Sequence, residues 1–219
     1  MTVAPFVPVT LLKNKRYAAG LELCVLVMGM GFSLPFLTPQ LLAEVNQLEA
    51  GWIGFAMVPA AVVSALLARS AGKLADQKGN SQLFHLGGVL YLISFLLLSV
   101  FVGIAPVFVA LLLIFGTVGQ LFIQISMSNA ISRTLSKEQT GVGMGLFSMV
   151  GFLSGAVSTG IYSKAVDYGA ATYWIPWNPY ANAAVFSNIY LALIVMTALI
   201  LVIFRYFFSK ETVTNIHKG

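Results

Sequence analysis

LFHLGGVLYLISFLLLSVFVGI, at positions 83–104, is a run of 22 residues without a lysine, arginine, aspartate or glutamate. A helix needs about 20 mostly apolar residues to cross the hydrocarbon layer of a bilayer, so this run predicts a transmembrane helix. Five further stretches have the same character. They are Tyr17–Leu37, Trp52–Ala71, Pro106–Ser126, Val142–Ser163 and Ala184–Phe208.

The amino-acid composition is that of a chain surrounded by lipid. Of the 219 residues, 58% are hydrophobic and 9% are charged, which excludes a soluble domain with an ordinary surface. The runs are continuous and longer than the alternating segments of a membrane barrel. We therefore predict an all-α integral membrane protein: a six-transmembrane-helix bundle over residues 17–208, a cytoplasmic leader over 1–16 and a cytoplasmic tail over 209–219.

The placement of basic residues predicts the orientation. A net charge of +5 would fit a nucleic-acid partner, but the basic residues form short clusters between the apolar runs, so we expect a lipid bilayer as partner and no nucleic acid. Eleven lie on one face and Lys164 alone on the other, which predicts that the first face, with both termini, is cytoplasmic. The eleven are Lys13, Lys15, Arg16, Arg69, Lys73, Lys78, Arg133, Lys137, Arg205, Lys210 and Lys218.

Aromatic residues favour the same orientation. Trp52 begins the second span, and Trp174 and Trp177 lie in the loop after the fifth, as in the aromatic belt of a membrane interface. The segment Asp167–Tyr180, which contains Pro176 and Pro179, is the longest irregular stretch and is expected outside the cell.

One carboxylate lies within a predicted span. Glu22 follows Arg16 by six residues, which places it about 9 Å deeper along a helix. Ionisable residues inside a membrane are costly and usually functional, so Glu22 is a candidate for proton coupling or cation binding. A structural ion pair, or solvation at the inner interface, is the alternative.

Amides on the fourth span are the other polar candidates. Gln120 and Gln124 are one helical turn apart and share a face, and Asn129 lies five residues further on. This face predicts a polar lining for a substrate path, and hydrogen bonding between helices is the alternative.

The fifth span is rich in glycine. Small residues recur at four-residue intervals, which permits close helix packing or, as the alternative, a hinge or cavity wall. These glycines do not keep the spacing of a dinucleotide-binding loop. They are Gly141, Gly143, Gly145, Gly151, Gly155 and Gly160.

The sequence lacks the groups of residues that a metal site or an enzyme active site needs. His85 and His217 have no neighbours at metal-ligand spacing, and Cys24 is the single cysteine, so we expect no metal, no cofactor and no internal disulfide. An intramembrane serine protease would need a histidine beside a serine such as Ser154, which lies near mid-membrane, whereas His85 lies at the cytoplasmic start of the third span. The chain is therefore not expected to be an enzyme.

The connection between the second and third spans reads Gly72-Lys-Leu-Ala-Asp76-Gln-Lys78-Gly79-Asn80. It resembles the G-x-L-A-D-R-x-G-R/K signature of the major facilitator superfamily, with Gln77 and Asn80 departing from it. Glycines permit a tight turn there and basic residues hold it at the inner surface. We expect Gly72, Asp76, Lys78 and Gly79 to form a cytoplasmic latch, in which Asp76 serves another helix N-terminus or a basic partner.

Other segments extend the resemblance over nearly the whole chain. Val45-Asn-Gln-Leu48, Ile53-Gly54 with Pro59, and the glycine-rich fifth span look like the C-terminal half of fourteen-helix drug:proton antiporters, the group with Gram-positive tetracycline and multidrug efflux proteins. That resemblance implies one half of a major facilitator fold in a bacterial plasma membrane. Where some tetracycline exporters carry an acid, this chain has Phe152-Leu-Ser-Gly155, which weighs against tetracycline itself.

The implied function is proton-driven export of a small amphipathic drug by alternating access, in which two six-helix bundles rock around a central site. The second bundle would be an N-terminal half or a second copy of this chain. In the resemblance, Glu22 is the protonation candidate and Gln120, Gln124 and Asn129 are the substrate-binding candidates. A fragment or membrane interaction protein that does not transport is the alternative.

Overall fold

The computed structural model describes residue 11 and residues 13–170, 172–175 and 183–208. Six helical segments there are long and apolar enough to cross a membrane, and all regular structure in the described ranges is helical. The predicted all-α, six-span architecture is therefore confirmed. The helices are α1 (Lys15–Gly31), α2 (Ser33–Glu44), α3 (Ala50–Lys78), α4 (Asn80–Val100), α5 (Pro106–Ser132), α6 (Thr140–Tyr168) and α7 (Ala184–Phe208).

Some sequence-based expectations fall outside these ranges. The predicted tail (209–219) lies wholly outside the described residues, and the leader lies outside them except at residues 11 and 13–16. Trp177, Pro176 and Pro179 of the loop after the fifth span are outside them too. The domain boundaries at 16 and 209 remain predictions.

Several helices run beyond the predicted spans. The second span was expected to end at Ala71, but α3 continues to Lys78, so the connection to α4 is the single residue Gly79. The polar segment 72–78 consists of good helix formers apart from its glycine and aspartate, and nothing in it terminates a helix. Hydropathy marks where the bilayer ends, and a helix that projects from the bilayer can be longer.

The first span is broken near its middle. Phe32 separates α1 from α2, and Pro35 follows three residues later. Proline has no N–H to donate to the carbonyl four residues earlier, here that of Gly31, and its ring displaces that carbonyl. Two tyrosine hydroxyls donate to carbonyls beside the break, Tyr162 to Gly29 O at 3.0 Å and Tyr91 to Met30 O at 3.5 Å. The break is thus held in place by α4 and α6.

Packing follows a repeated pattern. The first span packs most extensively against α6, and α3 packs most extensively against α5, while α4 lies between α5 and α7. The pairing of first span with fifth and of fourth span with second is the relation expected of two three-helix repeats. Spans that are distant in sequence therefore meet in the middle of the bundle.

Hydrogen bonds define the two ends of the bundle. At one end, which we call the basic end, Asn14 Nδ2 donates to Thr134 O at 2.9 Å and Ser126 Oγ donates to Asn80 O. At the other, the far end, Asn46 Nδ2 donates to Ile104 O at 3.0 Å. Of the ten lysines and arginines among the described residues, Lys164 lies toward the far end and the other nine lie toward the basic end. The charge asymmetry predicted from the sequence is thus a feature of the folded bundle.

Aromatic side chains form the centre of the α4–α7 contact. Phe84 and Phe204 stack with centroids 3.6 Å apart and planes 5° from parallel. Further along, Phe95 lies 4.6 Å from Tyr91 and 6.0 Å from Tyr190, centroid to centroid. All five rings are fully buried, so this column fixes how α4 and α7 lie against each other.

The backbones of α4 and α5 approach each other closely at Gly87 and Gly119. A Cβ added to either residue would lie 2.7 Å from the carbonyl oxygen of the other. No side chain can occupy that space while the two backbones stay where they are.

The glycines of the fifth span fall into two groups. Gly143, Gly151 and Gly155 contact neighbouring side chains, whereas Gly141, Gly145 and Gly160 face open space.

Two helices leave much of their surface uncovered. Only 6% of the residues in the apolar 18-residue stretch of α3 are buried, compared with 28% for α6 and 61% for the first span. The exposed side of α3 carries Gly51 and Gly54, with no atom within 4 Å of a Cβ added at either position. The bundle therefore presents α3 and α6 outward, with small residues on both.

Candidate functional site

The amides of α5 lie beside the break in the first span. Gln120 is half-buried, and a methyl group at Gly31 would lie 2.8 Å from its Nε2 atom. Gln124 is exposed one turn away. Both border a cavity of about 10 Å³, with Met28 and Tyr91 among its other walls. That volume is about the lower limit for one water molecule, so the two amides border a small and mostly apolar cavity.

Asn129, the third predicted substrate-binding residue, is not part of this pocket. Its Nδ2 donates to Asn80 Oδ1 at 3.4 Å, at the basic end where α4 begins. The neighbouring Ser126 hydroxyl donates to the main-chain carbonyl of the same asparagine. Asn129 therefore joins α5 to α4, which is the interhelical hydrogen bonding considered as the alternative for these amides.

Glu22 is exposed on α1, on the side away from the two glutamines. Nine residues separate it from Gly31, and at about 100° per residue these two positions face opposite directions on a helix. Gly31 is the residue that Gln120 contacts. Among the described residues, Glu22 is the one carboxylate away from a helix end or loop. The structure thus places the acid and the amides on opposite faces of α1.

The signature segment 72–80 is helix rather than loop over most of its length. Gly72, Asp76 and Lys78 belong to the last two turns of α3, and Asp76 and Lys78 are exposed. Gly79 alone makes the turn, with φ +87° and ψ 153°, a conformation available essentially to glycine only. The expected tight turn therefore depends on Gly79, and Gly72 has no part in it. Asp76 lies in the last turn of α3 and is exposed.

A groove lies on another side of the bundle, between α6 and α7 with α1 as its floor. It has a volume of about 630 Å³ and is lined almost wholly by apolar side chains, including Leu26, Leu153 and Met196. Of the three hydroxyls that line it, those of Ser154, Ser158 and Tyr162, two already donate to main-chain carbonyls: Ser154 to Val25 O and Tyr162 to Gly29 O. The groove therefore offers an apolar surface with few free polar groups.

The remaining polar residues provide no catalytic arrangement that we recognise. His85 lies at the start of α4, with Nδ1 2.7 Å from Ser81 O, and its ring packs against Phe84 and Phe204. Within the described ranges, no three histidines, cysteines or carboxylates are grouped closely enough to bind a metal ion. Cys24 is buried, with its thiol 3.7 Å from Phe147 O.

Two structural features were missed by sequence reasoning. Tyr91 and Tyr162 were not singled out, although both contact the carbonyls at the break in the first span. Pro35 was the available signal, because a proline inside a membrane helix leaves carbonyls that neighbouring helices satisfy. The α6–α7 groove had no comparable signal, since its lining residues are ordinary apolar positions of three different spans.

Comparison with known proteins assigns the chain to a family. No solved structure matches the chain. A family model described as Major Facilitator Superfamily matches residues 2–159, which is more than half of the 219 residues and covers the spans through most of α6. That superfamily comprises transporters, in agreement with the six apolar helices of the bundle. This chain therefore belongs to the major facilitator superfamily.

Proposed function

We propose that this chain is one six-helix bundle of a proton-coupled exporter of small amphipathic drugs. The observation that carries the proposal is the position of Gln120 and Gln124, which place two amides at the edge of a small cavity beside the broken first span. Discontinuous helices of this kind commonly line substrate sites at the middle of transporters. The pocket is small in the isolated bundle, and a facing bundle would complete its wall.

The uncovered surfaces of α3 and α6 indicate where that facing bundle packs. Gly54 on α3 and Gly145 on α6 have open space around them, and small residues allow two helices to approach closely in lipid. The partner is an N-terminal six-helix half or a second copy of this chain. In the bacterial plasma membrane, the nine basic residues would hold the basic end, and with it both termini, in the cytoplasm.

Glu22 is the proposed proton-coupling residue. An ionised carboxylate at membrane depth costs roughly 2.5 to 3.5 kcal/mol on insertion scales, so protonation changes how favourably α1 sits in the bilayer. The drug pocket contacts the opposite face of the same helix. Two ligands that each bias one movable element are coupled to each other. Proton binding and drug binding would therefore be linked through the position of α1.

The segment 72–80 is the proposed cytoplasmic latch. Asp76 is exposed near the end of α3, where the dipole of its own helix disfavours a carboxylate. A partner bundle would supply the helix N-terminus or basic residue that compensates for this. Gly79 sets the sharp turn that presents the segment, and Lys78 adds a positive charge at the inner membrane surface.

The experiment that tests the pocket is the transport of a fluorescent amphipathic dye into proteoliposomes, as a function of dye concentration. Gln124→Leu removes one amide, and Gln82→Leu is the matched control, because Gln82 is an exposed amide at the basic end of α4. Loss of one hydrogen bond, worth about 1 kcal/mol, predicts a rise of about fivefold in the apparent KM.

Equal KM values for Gln124→Leu and Gln82→Leu would exclude the pocket as the substrate site. The experiment is done with the chain alone and with an N-terminal bundle present, so that both pairings are tested. If a folded, paired chain moves no dye at all, the alternative of a membrane protein that does not transport is favoured.

A further inference from the structure

We propose that the α6–α7 groove binds one acyl chain of an anionic phospholipid whose headgroup is held by Lys164. This inference goes beyond the proposed transport function and does not depend on it. It rests on the dimensions of the groove, the chemistry of its lining and the charged residue at one end.

The dimensions of the groove fit a hydrocarbon chain. Along α6 its lining extends from Val150 to Ala165, a length of about 22 Å at about 1.5 Å per residue. A polymethylene chain with its van der Waals surface is about 4 to 5 Å wide. A volume of about 630 Å³ over that length is therefore enough for one such chain.

The lining also favours an acyl chain over a polar ligand. Leu153, Val157 and Ile161 of α6 form one wall, and Ile189 and Ala192 of α7 belong to the other. The hydroxyls of Ser154 and Tyr162 already donate to main-chain carbonyls, so they have no proton left for a ligand. The Ser158 hydroxyl alone remains for a ligand, so a polar molecule would lose more hydrogen bonds with water here than it gains.

Lys164 lies beside the far end of the groove, next to the lining residue Ala165. Its ammonium is 4.8 Å from the centroid of the Tyr168 ring. Asp167 follows one turn later on α6, and the described residues contain no ion pair between the two. Trp174 is exposed at the same end, where its main-chain N–H donates to Asn188 Oδ1 of α7 at 3.0 Å. Lysine and aromatic residues in this position are typical of the headgroup level of a membrane.

Charge complementarity identifies the headgroup. Lys164 is the one basic residue at the far end within the described ranges, where the acidic residues are Glu44, Glu49 and Asp167. A phosphate on the lipid would complement Lys164, and an additional positive headgroup would weaken the interaction. The groove therefore prefers phosphatidylglycerol to phosphatidylcholine.

Native mass spectrometry of the purified full chain tests this inference. Equimolar phosphatidylglycerol and phosphatidylcholine are added, and the affinity of the tightest-bound lipid is measured. Lys164→Gln should reduce the preference for phosphatidylglycerol about fivefold, since one lysine near an anionic surface is worth about 1 kcal/mol. Lys73→Gln, an exposed lysine at the basic end, is the charge control and should leave the preference unchanged.

A second variant tests the groove itself. Ala192→Trp fills the space between α6 and α7 and should abolish retention of both lipids, whereas Ala61→Trp on the exposed surface of α3 should not. If Ala192→Trp fails to fold, Lys164→Gln, which changes an exposed side chain, still gives the answer. Equal effects of Lys164→Gln and Lys73→Gln would overturn the inference. Loss of a dimer in Ala192→Trp, with lipid retention unchanged, would assign the groove to a second copy and overturn it too.

Discussion

The crossing of α4 and α5 gives the sharpest test of the fold, through the substitution Gly119→Ala. A Cβ at position 119 would lie 2.7 Å from Gly87 O and 2.9 Å from Tyr91 N. Both are main-chain atoms, so no side chain can rotate to relieve the contact and the helices must separate. Overpacking of this kind costs about 1 to 3 kcal/mol, against a gain of up to about 1 kcal/mol from replacing a helical glycine by alanine.

The net loss predicts a lower melting temperature in detergent. For a chain of this size, 1 kcal/mol corresponds to about 2 to 4 °C, so Gly119→Ala should melt several degrees below the wild type. Gly145→Ala is the matched control, because it is also in a helix and nothing lies within 4 Å of the added Cβ. It should melt at or above the wild-type temperature.

A double substitution strengthens the test. Gly87→Ala meets Gly119 O at 2.7 Å and should be destabilising by itself. Once one methyl group has separated the helices, the second costs less, so the double variant should lose less stability than the sum of the two. If Gly119→Ala is as stable as Gly145→Ala, or if the two effects at the crossing add fully, the described approach of α4 and α5 is wrong.

Two other substitutions test local features by the same melting assay. Gly79→Ala should lower stability by about 1 to 3 kcal/mol, because alanine is strained at φ +87°. Gly72→Ala is the control and should not lower stability, because Gly72 lies in a helix with open space beside it. Equal melting temperatures of the two variants would contradict the one-residue turn. Tyr17→Phe should lower the free energy of unfolding by about 1 kcal/mol, because it removes the 2.7 Å hydrogen bond from the Tyr17 hydroxyl to Gly143 O. Tyr206→Phe, at an exposed position, is the control and should leave stability unchanged. An unchanged melting temperature in Tyr17→Phe would exclude that hydrogen bond.

Much of the fold followed from hydropathy alone. Continuous apolar runs of more than 20 residues have one common solution in lipid, a spanning helix, because every backbone group must be hydrogen-bonded within the segment. Helix ends were less predictable. The segment from Gly72 to Lys78 was interpreted as a loop because it is polar, but a helix can leave the bilayer without ending, and α3 does so.

Which helix faces meet could not be obtained from one sequence. Gly87 and Gly119 lie 32 residues apart in ordinary apolar runs, and only the packing of α4 against α5 brings their backbones together. The glycine-rich fifth span drew attention because its pattern is dense, although half of its stripe faces open space. Gln120 and Gln124 were correctly expected to share a side of α5, and Asn129 lies apart from them because it bonds Asn80.

The most direct test of the central proposal is dye accumulation in proteoliposomes under an imposed pH gradient, with the chain paired to its partner bundle or to itself. Glu138→Gln is the control for Glu22→Gln, because Glu138 is a carboxylate in an exposed loop outside the spans. Hydrogen bonds from the main-chain N–H of Glu138 and from the Ser136 hydroxyl hold the pKa of its carboxyl below the usual range, which keeps it ionised. The account predicts gradient-driven accumulation that Glu22→Gln abolishes and Glu138→Gln preserves. Accumulation that is unchanged in Glu22→Gln, or absent from folded wild-type protein in both pairings, would contradict it.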